Sequence, residues 1–323
     1  MLTTRITEML GIRHPIIQGG MAWLGIAELV AAVSNAGGLG IIGSVTFPTP
    51  EDLREEIRKT KKLTDKPFGV NITMLPAMRE LPNDGYVQVL CEEGVAVVET
   101  SAGRPEKYID TLKKAGVKIM HKVGTVRHAR NAEKIGCDAV IAVGFEGAGH
   151  PMPDDVTHWN LIPRMADAVK IPVIAAGGTT DGRQLLAALS LGAEAVVLGT
   201  VFVATRESAA HPNFKQALVD ANEYDTIIIQ RTIENQTRVL KNKAALEVVE
   251  MEARKATLEE LLTVISGERG KRAMMDGEIE VGTMTVGQGV GLIKGIPTVR
   301  EVVDNLVNGA EALLKRLNGQ VKA

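Results

Sequence analysis

Two stretches near the middle of the chain decide the fold: Val173-Ile174-Ala175-Ala176-Gly177-Gly178 and Ala195-Val196-Val197-Leu198-Gly199-Thr200. Each is a short apolar run that ends abruptly in glycine, which is typical of a buried parallel strand whose backbone approaches a ligand. They begin about twenty residues apart, the length of one unit of a (β/α)8 barrel, and the loops after the seventh and eighth strands of such barrels often bind phosphate. A tight turn would explain the glycines of either stretch alone. The two stretches together predict a barrel that holds a phosphorylated cofactor or substrate.

Strand and helix patterns alternate along the rest of the first two thirds of the chain. The pattern predicts six earlier strands, at residues 15–18, 39–43, 68–73, 95–99, 118–122 and 139–143. Amphipathic helices are predicted between strands, notably at 26–36, 50–62, 105–115 and 126–135. This alternation is typical of a parallel sheet, and eight such units predict an α/β fold closed into a TIM barrel.

The alternation stops after Thr205. Helical patterns follow at 214–221, 243–255 and 258–265, without convincing strands. We therefore predict a barrel domain of residues 1–210 together with 296–323, which includes a last helix at 299–317. Residues 211–295 are predicted to form a smaller, mostly helical lid or substrate domain over the barrel mouth. A chain of 323 residues has room for both, because a TIM barrel needs about 250 residues.

Composition and charge exclude several classes of function. A net charge of −2 gives no electrostatic reason to bind nucleic acid or an anionic membrane. The two cysteines, Cys91 and Cys137, are expected to be free thiols, as suits a reducing compartment. No signal peptide or membrane-spanning run is recognisable, so the expected location is the cytoplasm. No metal-ligand spacing and no Ser/His/Asp arrangement is present, and we predict no metal site.

Polar residues follow several predicted strands, at the end where TIM barrels carry their active sites. Gln18 and Asn71 are candidates to hydrogen-bond the edge of a heterocycle, although Asn71 would equally satisfy backbone groups inside the barrel. Lys122 is a candidate to stabilise a developing negative charge, because a buried lysine is costly unless it meets an anion. Its neighbour His121 is expected to pack in the protein or to face a helix.

His150 is the candidate acid, base or hydrogen-bond donor toward a substrate. It ends the glycine-rich segment Phe145-Glu146-Gly147-Ala148-Gly149-His150, which follows the sixth predicted strand. The glycines around it suggest that the loop comes close to a ligand. His150 is therefore the predicted catalytic residue.

Six motifs lie in order along essentially the whole chain. They are Gln18-Gly19-Gly20-Met21-Ala22-Trp23, Asn35-Ala36-Gly37-Gly38-Leu39-Gly40, Lys66-Pro67-Phe68-Gly69-Val70-Asn71, Ala148-Gly149-His150, Ala175-Ala176-Gly177-Gly178 and Leu198-Gly199-Thr200. Together they resemble the 2-nitropropane dioxygenase-like superfamily. That group contains nitronate monooxygenases, flavin-dependent enoyl-acyl-carrier-protein reductases and NADH:quinone reductases.

The resemblance implies FMN bound non-covalently at the barrel mouth. It places one group of residues along the flavin and in contact with it, namely Gly20, Met21, Ala22, Asn71, Thr73 and Lys122. It places a second group around the ribityl phosphate, namely Gly149, Ala176, Gly177, Gly178, Gly199 and Thr200. His150 would then face the second substrate.

Within the superfamily, two segments are most similar to the NADH:quinone reductase branch. They are residues 145–151 and the loop from Thr73 to Tyr86, although Met78 in that loop departs from the polar residue expected there. The resemblance therefore implies an enzyme that takes electrons from NADH or NADPH. The alternatives are a nitronate monooxygenase that uses O2, an FMN-dependent enoyl-acyl-carrier-protein reductase and, from a different class, a flavin-free barrel that binds a phosphorylated metabolite.

The expected partners are accordingly small molecules. The electron acceptor is expected to be a quinone, a nitronate or an enoyl thioester, with no nucleic acid and no membrane. Assembly as a homodimer is left open by the sequence.

Overall fold

The fold is a closed barrel of eight parallel strands, as predicted. The computed structural model describes residues 2–74, 80–151 and 154–320, so that part of the predicted loop from Thr73 to Tyr86, including Met78, lies outside the described residues. Each barrel strand pairs with the next in sequence, and the bridge between Ile17 and Leu39 closes the ring between the first two strands. The strands are β1 (Ile16–Gln18), β2 (Gly40–Gly43), β3 (Phe68–Thr73), β4 (Val97–Ser101), β5 (Lys118–Val123), β6 (Ala139–Val143), β7 (Val173–Ala176) and β8 (Ala195–Leu198).

The bounds of one strand differ from the prediction at the candidate site. Strand β4 begins and ends two residues later than the predicted 95–99, so that Glu99 lies in the middle of the strand. There it pairs with Asn71 on β3 and with Met120 on β5. Side chains alternate between the two faces of a strand, so Glu99 shares the inner face with Val97, and Lys122 shares it with Met120.

An apolar layer fills the lower part of the barrel, and a short helix, α1 (Arg5–Leu10), closes its bottom. Ile6 and Leu10 of this helix pack against inward-facing residues of the strands. The strand residues in this layer are Ile17, Ile41, Val97, Met120, Ala139, Ile141, Ile174, Ala176, Ala195 and Val197. Above the layer, the inner positions become polar, and this change marks the floor of the mouth.

Helices form the barrel wall. They are α2 (Ala27–Asn35), α3 (Pro50–Leu63), α4 (Asn83–Glu92), α5 (Glu106–Lys114), α6 (Val126–Ile135), α7 (His158–Ala166), α8 (Gly182–Ser190), α9 (Thr200–Val203) and α14 (Val299–Asn318). Helix α3 has a clear start signal, because Thr49 and Asp52 form a capping box and Pro50 occupies the first helical turn. Gly182 allows α8 and α14 to touch, because a Cβ there would lie 2.4 Å from the backbone N of Ala310.

The segment between α9 and α14 is mainly helical, as expected, but it also contains two strands that the sequence analysis did not predict. β9 (Thr226–Ile229) and β10 (Thr237–Leu240) form an antiparallel pair. A short apolar run such as Ile227-Ile228-Ile229 fits a strand or a buried helical turn equally well by periodicity, so its partner strand decides its conformation. The helices are α10 (Pro212–Asp220), α11 (Lys243–Ala253), α12 (Leu258–Ile265) and α13 (Gly267–Lys271), the last followed by a π-helical turn at Arg272–Asp276.

This segment lies against the carboxyl ends of the barrel strands. Gly149, after β6, forms an antiparallel bridge with Arg238 of β10. The backbone N–H of Gly287 donates to Thr200 Oγ1, after β8, at 3.0 Å. The segment thus covers the mouth, while the exact domain boundaries stay a prediction. In the parts of the chain that are described, no helix combines the length and the apolar character needed to cross a membrane.

We expect Ile6→Ala to destabilise the barrel, because it would leave a cavity beneath the apolar layer. The free energy of unfolding should fall by about 2–5 kcal/mol, as for other large-to-small changes in a core. Chemical denaturation measures the change, with Glu8→Ala on the exposed side of the same helix as the control. Equal stabilities of the two variants would contradict the role assigned to this helix.

Candidate active site

The floor of the mouth is organised around Glu99, a carboxylate with no solvent exposure. Its Oε2 accepts hydrogen bonds from Asn71 Nδ2 at 2.8 Å and from the backbone N–H of Gly20 at 3.0 Å. Lys122 Nζ lies 2.9 Å from Glu99 Oε1. These partners come from β3, from the loop after β1 and from β5, so one carboxylate joins three predicted site residues.

The sequence predicts that Lys122 needs an anionic partner, and the structure provides one within the barrel. The lysine side chain is 24% exposed, so its ammonium group is reachable from the mouth, whereas Glu99 is not. Glu99 Oε1 has no aligned hydrogen-bond donor among the described residues, so Lys122 acts on it mainly through its charge. A buried carboxylate is costly without such pairing, and removal of one partner would leave a charge uncompensated.

The turn after β1 fits tightly against the floor. A Cβ at Gly20 would lie 2.3 Å from Asn71 Cβ, and a Cβ at Gly19 would lie 2.8 Å from Val197 Cγ1. Glycine is therefore required here by the packing of the protein itself, in addition to any approach of a ligand. The next residue, Met21, lies close to the end of β8, since a Cβ at Gly199 would be 3.6 Å from its Sδ.

Gln18 does not have the predicted role toward a heterocycle. Its side chain is fully buried and bonded to the backbone of β2: Oε1 accepts from the N–H of Ile41 at 3.2 Å, and Nε2 donates to the Ile41 carbonyl at 3.2 Å. The amide thus replaces the ladder that β1 and β2 lack at this level. His121, as expected, packs within the protein, with Nδ1 2.8 Å from Thr100 Oγ1.

The two glycine stretches lie together at the rim. Gly177 (φ +118°) and Gly178 (φ +71°) have left-handed backbone conformations, and a Cβ at Gly177 would lie 2.5 Å from Gly147 Cα. Their N–H groups donate to no acceptor among the described residues. Successive unpaired N–H groups in such a backbone form an anion-binding concavity. Ala176 ends β7 beneath them, and Gly199 ends β8 alongside, before Thr200.

A third segment, which the sequence analysis missed, completes this rim. Besides the bond from Gly287 to Thr200, the N–H of Gln288 donates to the Glu146 carbonyl at 3.0 Å. The Thr180 hydroxyl donates to the carbonyl of Gly289 at 2.9 Å. The signal was available in the sequence, because residues 286–291 alternate with glycine in the way that close backbone approach requires.

The loop that bears His150 is held by Arg238, a buried residue of β10 with 3% exposure. Its backbone exchanges hydrogen bonds with Gly149 at 2.7 and 3.2 Å. Its side chain donates to the Phe145 carbonyl at 3.1 Å and to Thr226 Oγ1 at 3.0 Å, and the guanidinium lies 4.5 Å from the centre of the Phe145 ring. Arg238 therefore fixes both ends of the loop.

His150 itself lies at the surface of the mouth. Its ring is exposed, and it makes no side-chain hydrogen bond to a described residue. Surrounding protein atoms nevertheless crowd the ring, and this partial desolvation lowers the pKa of the imidazole below its usual value. The imidazole is therefore neutral at pH 7 and free to bond a ligand.

Two further predicted residues, Thr73 and Ala22, lie near the ends of β3 and β1, and no contact of their side chains with the described residues indicates a role. The carbonyl of Thr73 accepts a hydrogen bond from Asn83 Nδ2 at 3.0 Å, just before the segment that is not described. Ala22 lies half-buried in the loop after β1. No group of three or more His, Cys, Asp or Glu side chains within the described ranges is arranged to hold a metal ion.

Known proteins share this architecture over its full length. The structure of FabK from Thermotoga maritima is 42% identical with a TM-score of 0.93, covering 99% of this chain and 100% of that one. Nitroalkane oxidase from Streptomyces ansochromogenes is 28% identical with a TM-score of 0.83, covering 97% and 99%. A 5-hydroxy-7a-methyl-1-oxo-octahydro-1H-indene-4-carboxyl-CoA dehydrogenase from Rhodococcus jostii is 34% identical over 98% of this chain and 97% of the relative.

The family model for nitronate monooxygenase matches residues 3–309, nearly the whole chain. This match agrees with the barrel, with the rim of unpaired backbone N–H groups and with the motifs quoted above. The chain belongs to the nitronate monooxygenase family, a family of FMN-dependent oxidoreductases.

Proposed function

We propose that the protein is an FMN-dependent reductase that takes electrons from NADH or NADPH and passes them to an enoyl thioester. The observation that carries the choice of acceptor is the similarity to FabK, an enoyl-acyl-carrier-protein reductase, at 42% identity over both whole chains. The Rhodococcus jostii relative is also named for a thioester, a carboxyl-CoA compound. Two full-length relatives thus have names that point to acyl thioester chemistry.

The residues of the mouth fit FMN. The unpaired N–H groups of Gly177 and Gly178 would hold its single phosphate. The sequence has no dinucleotide-binding fingerprint of the kind that would bind the second phosphate of FAD. Lys122 would lie beside the isoalloxazine ring, where a cation stabilises the negative charge of the reduced ring in a site shielded from water. When bound, FMN supplies hydride transfer between a nicotinamide and an acceptor.

His150 would serve the acceptor. Reduction of an enoyl thioester adds a hydride and a proton, and hydride transfer places negative charge on the thioester oxygen. An imidazole at the mouth can donate a hydrogen bond to that oxygen or deliver the proton. The lowered pKa of His150 makes the neutral imidazole the resting form at pH 7.

A quinone is the second candidate acceptor, and the segment Gly147-Ala148-Gly149-His150-Pro151 favours it, because it is most similar to the quinone reductase branch. Nitronate oxidation is the third candidate reaction. A probable nitronate monooxygenase from Staphylococcus saprophyticus is 34% identical over 75% of this chain, which is lower than FabK in both identity and coverage. The three reactions differ in which substrate reduces the flavin and which reoxidises it.

Anaerobic mixing of the purified yellow protein separates these reactions. We expect NADH or NADPH to bleach the flavin absorbance near 450 nm and crotonyl-CoA, as the thioester probe, to restore it faster than menadione. Faster recovery with menadione would establish the quinone reductase instead. A flavin bleached by propyl nitronate but not by either nicotinamide would identify a nitronate monooxygenase. A colourless protein that FMN does not reconstitute would favour the flavin-free barrel.

Gly199→Asp should release the cofactor, and that cofactor should be FMN. A carboxylate at this position would repel the phosphate, whereas Gly199→Ala should keep the flavin because a Cβ there meets only Met21 Sδ, at an ordinary 3.6 Å. Absorbance ratios of the purified variants and chromatography of the heat-released cofactor measure both points. Full flavin content in Gly199→Asp, or release of FAD, would show that the phosphate site is misplaced.

Arg238→Lys should slow reoxidation of the flavin by about tenfold to a hundredfold, because a small displacement of the His150 loop misplaces the acceptor. Lysine keeps the charge but loses the forked bonds to Phe145 and Thr226. Stopped-flow absorbance follows each half-reaction. Arg231→Lys, in an exposed ion pair on the loop between β9 and β10, is the control and should change little. Equal rates in Arg238→Lys and the wild type would refute the assignment.

His150→Ala should slow reoxidation by enoyl thioester by about a hundredfold and leave flavin reduction by the nicotinamide nearly unchanged. If the imidazole delivers a proton, the rate should fall as the pH rises through the lowered pKa of His150, below its usual value of about 6.5. His150→Gln keeps a hydrogen-bond donor without an acid and separates the two roles. An equal loss in both half-reactions would be inconsistent with a role toward the acceptor.

A further inference from the structure

We propose that Glu99 is a positioning residue that lowers the reduction potential of the bound flavin by neutralising and holding Lys122. The inference rests on the proposed binding of FMN above Lys122. It assigns a function to a buried carboxylate that lies below the mouth and has no access to a substrate.

The geometry makes Glu99 the common partner of the floor. Its two oxygens have different partners. Oε2 accepts hydrogen bonds from Asn71 Nδ2 and from the N–H of Gly20, whereas Oε1 lies 2.9 Å from Lys122 Nζ. The amide oxygen of a neutral glutamine could accept the same two hydrogen bonds, although more weakly, so these bonds alone do not require a charge. The charge on Glu99 therefore matters chiefly to Lys122, whose ammonium group is the part of the cluster that reaches the mouth.

The pairing determines how strongly Lys122 acts on a flavin. Reduction adds negative charge to the ring system, and a lone cation nearby would favour the reduced form. A cation paired at 2.9 Å with a carboxylate forms a dipole, whose field falls off faster with distance than that of a single charge. In the pair, Lys122 can still bond the ring while its long-range effect on the potential is largely cancelled.

Three variants test this in the flavin-loaded protein. At equilibrium with a reference dye, Glu99→Gln should raise the ratio of reduced to oxidised flavin at least tenfold, which for a two-electron couple is about 30 mV. Lys122→Met, which leaves the carboxylate unpaired, should lower the ratio at least tenfold. The double variant should return to within about threefold of the wild type, because it removes both charges.

Glu194→Gln is the matched control, because Glu194 also forms an ion pair, with Arg5, but precedes β8 at the opposite end of the barrel. Its ratio should equal that of the wild type. An unchanged ratio in Glu99→Gln and Lys122→Met, with FMN bound, would overturn the proposal. A protein that binds no FMN would instead overturn the proposed function.

A second measurement covers the case in which Glu99→Gln loses the flavin. Thermal unfolding of the flavin-free proteins should show Lys122→Met less stable than the wild type and the double variant partly rescued, because only Lys122→Met leaves the fully buried carboxylate of Glu99 without its cation. A double variant that is less stable than Lys122→Met, together with an unchanged potential in Lys122→Met, would show that the carboxylate has only a packing role.

Discussion

The buried charge of Glu99 determines the positions of the groups that form the floor of the barrel mouth. Glu99 has no contact with solvent and depends on donors from three parts of the barrel. Since each donor must hold its place to stabilise the carboxylate, the turn after β1, the amide of Asn71 and the ammonium group of Lys122 are fixed relative to one another. The floor of the site is therefore rigid before any ligand arrives, as electrostatic stabilisation of a reaction requires.

The opposite side of the mouth is held by a different interaction. Loop 145–150 belongs to the barrel. It forms hydrogen bonds with Arg238 of β10 and with Gln288, and also with Val156 in the barrel part of the chain. The position of the His150 imidazole therefore depends in part on how residues 211–295 pack against the barrel. The proposed reductase would need both sides, because the flavin would have to be held firmly while two substrates exchange beside it.

The sequence predicted the barrel well because β1, β2, β6, β7 and β8 are short, largely apolar runs next to glycine, and these signals are local. It predicted Lys122 for the correct reason, the cost of a buried cation. It missed Glu99, although the predicted strand 95–99 contained this residue, because the contact joins β4 to β5 and no local signal in either strand shows it. Gln18 was assigned to a ligand because no local signal shows that β1 and β2 need its amide to complete their contact. Arg238 was missed because its contacts lie about ninety residues away in sequence.

The division between floor and rim also bears on the choice of acceptor. Proteins named for different reactions share this barrel, down to 28% identity with a TM-score of 0.83. A common floor suits a common cofactor, so the barrel strands alone do not decide what is reduced. In the proposed function, the acceptor would meet the loop that bears His150 and the segments that cover the mouth, which Arg238 holds together. Specificity would then depend on how residues 211–295 pack on the barrel, and changes there would alter the acceptor while the flavin site stays intact.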